Sequence, residues 1–496
     1  MKHIFKTENR LSGKNSNGYR TNFFPAIFFG NHLVPSAIFI FTINVCALFA
    51  QERSAPKSLI DLQQEFVNLH FGMFIHYNIP TYMDEDWADP EASPAIFAPV
   101  KLDCSQWAKA AKEAKMTYGC LTTKHHSGFC IWDTKTTDYN VMNSPLKRDV
   151  VREYADAFRQ QGLKVMLYYS ILDTHHKLRP GWISQQHIQM IKDQLTELMT
   201  QYGEITALII DGWDAPWSRI SYDEVPFADI YRLIKSIQPD CLVMDLNAAK
   251  YPADILYYTD IKSYEQGAGQ HISKEENRLP ALSCLPINGS WFWKTSFPDT
   301  PVKDPKVLVD DNLIPFNRAY CNFILNVAPN RDGLVDDNAV EALKEIGRLW
   351  HNTDPLPQLP PNDGAIISTN IAKFKPTNSS WSDDMHIMDF ANDDNFRTAW
   401  RSNKSVRHPW IEIDLGTEQP FNLITIAQGG EKSNIRKYRI EYMQNNQWIP
   451  LLSNNSEKSI KVDRFNQVWA NKVKIWVDEF ASPPIITEIG IYNEIK

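Results

Sequence analysis

The 496-residue sequence is poor in cysteine, with seven, and none forms a C-x-x-C pair or a dense cluster. That argues against a disulfide scaffold or a zinc site, and Cys104, Cys120, Cys130, Cys241, Cys284 and Cys321 read as buried free thiols. A basic surplus is also lacking. Fifty-one Lys and Arg face 59 Asp and Glu, a formal net charge of −8, which argues against a nucleic-acid binder. No G-x-S-x-G, H-E-x-x-H, P-loop or dinucleotide fingerprint occurs, so serine-hydrolase, zincin and nucleotide-binding readings lack their signatures. The 20 Gly and 30 Pro are dispersed, with no internal repeat and no low-complexity tract. With 43% hydrophobic residues the chain is too apolar for disorder, and its length predicts several domains or one large barrel with a companion.

The first 50 residues read as a leader. Lys2, Lys6, Arg10, Lys14 and Arg20 precede the apolar stretch 36–50, and Gln51-Glu52-Arg53 follows. A basic segment, a short apolar segment and a small residue before polar sequence describe a secretory signal, with cleavage expected after Ala50. The apolar stretch falls short of the about 20 residues of a membrane span, so no stable transmembrane segment is expected after processing. A signal-anchor helix is one alternative. A lipid anchor on Cys46 is another, though Val45 is bulky for it. The expected location is secreted or periplasmic.

Residues 55–352 alternate apolar runs with amphipathic stretches. The runs are 71–77, 118–124, 163–170, 206–211, 241–245, 255–260, 281–285 and 322–327. Continuous apolar runs suit parallel strands buried on both faces, and eight of them alternating with helices predict a (β/α)8-type barrel, an α/β fold. An open doubly wound sheet is the rival, without its Gly-rich phosphate turn. Polar residues gather at the C-terminal ends of the runs: His76, Lys124-His125-His126, Tyr168-Tyr169, Asp211, Asp245, Asp260 with Glu265, and Asn326. In a barrel these ends converge on one face. A Pro-rich linker follows at 353–364. Residues 365–496 then show short period-two strands and predict an antiparallel β-sandwich.

Asp211 ends a wholly apolar run, where a carboxylate is costly unless it enters a site or meets a partner. Capping of the next helix is the plain alternative, and Asp214 is a fallback. Glycoside hydrolysis needs a second carboxylate, ~5–5.5 Å away for retention or ~6.5–9.5 Å for inversion. Glu265, in the loop expected after the sixth strand, is the candidate, with Glu85, Asp86 and Asp260 competing and a solvated loop glutamate as the plain reading. His76, His125 and His126 suit hydrogen bonds to sugar hydroxyls better than a metal, because adjacent strand residues point to opposite faces. No cofactor is expected for catalysis. Among 15 Trp, Trp87, Trp132, Trp213, Trp217, Trp291 and Trp293 fall near these loops and could stack on a sugar or simply fill the rim.

The segments Phe71-Gly-Met-Phe-Ile-His-Tyr77, Leu121-Thr-Thr-Lys-His-His-Ser-Gly-Phe-Cys-Ile-Trp132, Ile209-Ile-Asp-Gly212 and Asn322-Phe-Ile-Leu-Asn-Val-Ala-Pro329 resemble the α-L-fucosidases of glycoside hydrolase family 29. The resemblance covers about residues 60–352. It implies an irregular (β/α)8-type barrel and retaining exo-hydrolysis of terminal α-L-fucosyl residues from glycans. It puts Asp211 on the nucleophile and His76, His125, His126 and Tyr169 on fucose-binding positions, with Asp86-Trp87 in place of a Glu-Trp pair. Trp213 and Trp291 join them as candidate sugar contacts. Two departures stand out. Leu282 occupies the place of a Glu that is the acid/base in several members, so Glu265 is expected to take that role. A sugar-binding Arg is also missing from 243–247. A related sugar such as a galactoside, or a glycan-binding protein without activity, are therefore alternatives. The stretches 393–400 and 410–415 resemble F5/8 type C domains of the family 32 carbohydrate-binding kind, which implies a jelly-roll or discoidin-like sandwich, a possible sugar-binding role and a structural calcium near Asp394 and Asn395.

Overall fold

The computed structural model describes residues 56–494, except 216, 247–257, 276, 352–353, 431–433 and 457. The leader at 1–50 with Cys46, and residues 255–257 of the sixth apolar run, lie outside the described residues.

Eight parallel strands form one sheet. They are β1 (Phe71–Ile75), β2 (Tyr118–Lys124), β3 (Lys164–Ser170), β4 (Ala207–Asp211), β5 (Leu242–Asp245), β6 (Lys262–Glu265), β7 (Ala281–Pro286) and β8 (Cys321–Asn326). The order is β5-β4-β3-β2-β1-β8-β7-β6, so β5 and β6 are its edges. Asp260 bridges that seam. Its backbone N–H donates to Val243 O (3.0 Å), and its carboxylate accepts the Val243 N–H (2.9 Å). Tyr231 and Lys235 hold the same carboxylate. The structure moves the sixth strand relative to the sequence reading. Residues 258–260 are bends, and the strand is the polar Lys262–Glu265. Glu265 therefore ends β6 and does not sit in a loop beyond it.

Helix α1 (Leu59–Val67) packs on the interior cluster at one end of the barrel, and α2 (Cys104–Glu113), α3 (Val150–Gln160), α4 (Gln185–Gln201), α5 (Phe227–Ile237) and α6 (Asp337–Leu349) cover the outside of the sheet. Side-chain caps start several of them. Ser58 accepts from Asp61 N, Asp103 from Ser105 and Gln106 N, Asp149 from Arg152 N, and Ser184 from His187 N. Each such cap stabilises by about 1 kcal/mol.

Strand alternation divides the apolar side chains between two cores. Phe74, Tyr118, Cys120, Met166, Tyr168, Ile209, Met244, Leu282, Cys284 and Ile324 fill the barrel interior, together with Leu62, Phe66 and Val67 of α1. Trp107, Tyr154, Phe158, Leu195, Leu198, Ile230, Ile234 and Leu343 pack between sheet and helices. The Pro-rich segment is fixed to α1 and its end. Leu356 N–H donates to Asn68 (2.8 Å), Leu359 N–H donates to Gln64 (2.7 Å), and Leu356 and Leu359 pack on the interior cluster. The six cysteines from Cys104 to Cys321 are buried free thiols.

The C-terminal part is antiparallel, with β9 (Thr377–Ser379), β10 (Trp400–Arg401), β11 (Trp410–Gln428), β12 (Ile435–Gln444), β13 (Gln447–Asn455), β14 (Ile460–Phe480) and β15 (Ile485–Tyr492). The order is β10-β15-β11-β14-β12-β13, with β9 on β11. The long β11 and β14 break register at Asp414/Gln419 and Phe421/Leu423. Such irregularities bend strands, and these let the two serve both layers of a sandwich. Trp400, Ile413, Phe421, Ile440, Val473, Ile475 and Ile489 fill its core. Tyr258 and Tyr492 share a hydroxyl contact (3.0 Å), and Lys373 reaches Asp223 (3.1 Å) and Asp394 (2.8 Å), joining sandwich to barrel.

Candidate active site

The inward positions at the C-terminal ends of the strands make the site. On β4 the alternation that sends Ala207 and Ile209 inward also sends Asp211 inward, where it is buried. Gly212 makes the turn beyond it with φ +108°, and a Cβ there would stand 2.9 Å from Ile171 and 3.1 Å from Leu172 N. That turn requires glycine. The Tyr168 hydroxyl donates to Asp211 Oδ2 at 2.5 Å. Burial, and then the charge of Asp211, push the Tyr168 phenol well up, so it stays a donor.

Glu265 is the second carboxylate at this mouth. Burial, with the charge of Asp211 second, pushes its carboxyl up to about 7, while a hydrogen bond from Trp291 opposes the rise. A carboxyl that keeps its proton up to about pH 7 beside a carboxylate gives a site its proton donor and its anion, separated by environment.

Three imidazoles line the same opening. His125 and His126 do not point to opposite faces, as a continuing strand would require. β2 ends at Lys124, and the two rings lie side by side beyond it, with centroids 3.8 Å apart. His126 Nε2 is 3.8 Å from Asp211 Oδ2, and its Nδ1 is 2.8 Å from Ser170 Oγ. His76 Nδ1 is 2.8 Å from Asn326 Oδ1. Burial above all keeps the three rings neutral. His76 is lowered to about 4, and His125 and His126 fall well below the usual histidine range. His125 Nδ1 is buried with no protein partner. Trp291 packs on His76 (5.0 Å) and Trp87 on His126 (4.6 Å), with Trp217 against both Trp87 and His126.

Two expected sugar contacts are not brought here. Tyr169 points outward from β3, and its hydroxyl meets Lys124 Nζ (3.0 Å) and Gln194 (2.6 Å). Its neighbour Tyr168 has the inward parity. Trp213 is fully buried against Tyr222 and Phe227, with its N–H on Val225 O. Asp86 stands at the rim, and its carboxylate accepts from Ser290 Oγ (2.5 Å) and Phe292 N (3.1 Å), which fixes the loop carrying Trp291. Leu282 pairs with Ser263, one layer below Glu265, inside the barrel core. The sequence reading named Asn326 only among the polar residues at the run ends and gave no role to Ser170, although both carry inward parity.

Behind the histidines, Lys124 and Asp173 form a fully buried ion pair at 3.3 Å. Burial works against the Asp173 charge, but Lys124 and His176 hold its carboxyl well below the usual range. Among the described residues no group of three or more His, Cys, Asp or Glu could hold a metal ion. In the sandwich segment suggested for calcium, the side-chain oxygens have protein partners. Lys373 sits on Asp394 at 2.8 Å, Asn395 Oδ1 accepts from Arg397 N, and Asp393 is taken by Thr398. Among the described residues no helix is long and apolar enough to cross a membrane.

A parallel eight-stranded barrel with two carboxylates and a neutral histidine cluster at its C-terminal mouth has the parts that a glycoside hydrolase needs. Residues 50–354 match the family model described as Alpha-L-fucosidase, and residues 375–489 match the F5/8 type C domain. The chain belongs to the α-L-fucosidase family, glycoside hydrolase family 29. Alpha-L-fucosidase 1 of Arabidopsis thaliana is 26% identical over 460 residues, covering 85% of each chain. Alpha-L-fucosidase of Branchiostoma floridae is 25% identical over 332 residues, 58% of this chain and 70% of its own. In fold the chain is similar to α-L-fucosidase isoenzyme 1 from Paenibacillus thiaminolyticus, with TM-score 0.51 and 23% identity over 86% of this chain and 100% of that one.

Proposed function

We propose that the chain is a retaining exo-α-L-fucosidase acting on terminal α-L-fucosyl residues of secreted or extracellular glycans. The observation that carries the reading is the pair Asp211 and Glu265, with Glu265 pushed to about 7 by burial and by Asp211 itself. Asp211 attacks the anomeric carbon and forms a glycosyl-enzyme. Glu265 gives its proton to the departing oxygen, then takes one from the water that releases the sugar. Tyr168 holds the Asp211 carboxylate in line. Neutral His76, His125 and His126 bind the sugar hydroxyls, and Trp87, Trp217 and Trp291 wall the opening. The N-terminal leader supports export, and the F5/8 type C domain supports attachment to carbohydrate.

The test uses an aryl α-L-fucoside and two variants with folding checked. Asp211→Ala is expected to lose turnover. Glu265→Ala is expected to lose about 10²–10⁴-fold on a poor leaving group, much less on an activated one, and to yield fucosyl azide when azide is added. An inverted first-formed product, or undiminished turnover by Asp211→Ala, would sink the reading.

A further inference from the structure

The proton on His126 is placed by two contacts of one hydroxyl. Ser170 Oγ lies 2.8 Å from His126 Nδ1 and 2.9 Å from the carbonyl oxygen of Leu172. A serine hydroxyl has one hydrogen, and a carbonyl oxygen can only accept. Both contacts are hydrogen bonds only if Ser170 donates to Leu172 and His126 Nδ1–H donates to Ser170. The reverse assignment would aim two sets of oxygen lone pairs at each other at 2.9 Å around a fully buried Ser170. A doubly protonated ring is disfavoured by burial and by the neighbouring His76 and Lys124. His126 is thus neutral with a bare Nε2, and that atom stands 3.8 Å from Asp211 Oδ2.

His76 shows the same device. Asn326 Nδ2 donates to Trp291 O at 2.7 Å, which fixes Oδ1 as the atom accepting from His76 Nδ1.

We infer that Ser170 is a positioning residue. It holds His126 as the Nδ1–H tautomer, so that the ring cannot donate to Asp211 and offers Nε2 to a hydroxyl of the bound sugar. The inference rests on Asp211 being the nucleophile. A ring N–H given to Asp211 would stabilise the carboxylate before attack and would have to be surrendered as the carbon–oxygen bond forms.

The experiment reads ring-nitrogen NMR signals of the full chain labelled with [¹⁵N]histidine, with His126→Gln to assign the ring. The wild-type ring is expected to carry its proton on Nδ1. In Ser170→Ala the proton is expected to move to Nε2, with kcat on an aryl α-L-fucoside falling about 10- to 100-fold. A wild-type proton on Nε2 overturns the inference, and it does so even if Ser170→Ala does not fold. A Ser170→Ala variant with an unmoved proton overturns it too, whatever happens to kcat. Neither outcome touches the role of Asp211, which is lost only if Asp211→Ala keeps its turnover.

Discussion

Replacing Trp291 with Phe tests how the proton on Glu265 is tuned. Burial and the Asp211 charge push this carboxyl up to about 7, and the Trp291 hydrogen bond pulls it back. An indole N–H can only donate, so it favours the carboxylate over the acid. Phe keeps an aromatic ring against His76 and Phe74, at centroid distances of 5.0 and 6.1 Å in the wild type, and removes the donor. A hydrogen bond to a charged group contributes about 1.5–3 kcal/mol, and one pKa unit corresponds to about 1.4 kcal/mol. Trp291 is only partly buried, so solvent replaces part of that stabilisation, and the expected rise is about one unit. Transfer of the sugar to Asp211 needs Glu265 protonated, so kcat/KM falls as pH rises through its pKa. The alkaline limb is therefore expected to move from near 7 to about 8 in Trp291→Phe. The assay is kcat/KM against pH on a fucoside with a poor leaving group. A limb that stays, or moves toward acid, refutes the tuning argument.

Two further outcomes follow from buried charge. Glu265 has a folded pKa above its ordinary value of 4.5, so its contribution to stability is complete below that value and is lost as pH rises through about 7. Glu265→Gln is expected to gain up to about 3 kcal/mol over the wild type at pH 8 and nothing at pH 4, read by urea unfolding; equal stability at both pH values would contradict the burial of this carboxyl. Asp173→Asn leaves Lys124 charged and unpaired where neither partner has solvent exposure. A loss of about 3–5 kcal/mol is expected in the same assay, and a loss below about 1 kcal/mol would show that the pair does not hold the β2–β3 end.

Seven of the eight barrel strands were legible because strands buried on both faces are mostly apolar. β6 was not. It is an edge strand whose inward residues are Ser263 and Glu265, so its sequence carries no apolar run. The same uniformity hid parity. In Lys-Val-Met-Leu-Tyr-Tyr-Ser nothing local says which tyrosine faces the interior, and the pairing of Ser170 with Asp211 across β3 and β4 settles it. The histidine pair was misjudged because strand alternation was carried past Lys124, where the strand stops. Asp211 was legible for the opposite reason: a carboxylate closing an apolar run is conspicuous. The partners that set ring protonation, Ser170 and Asn326, are ordinary polar residues whose meaning lies only in what they touch.

The segment between the domains has a practical bearing on how such enzymes can be recombined. Leu356 and Leu359 belong physically to the barrel, closing its floor beside Phe66, although they lie on the sandwich side of the last barrel helix. A domain exchange cut just after that helix would remove part of the hydrophobic plug from the half it means to keep. A functional graft keeps these two leucines with the catalytic half and joins the new module beyond them.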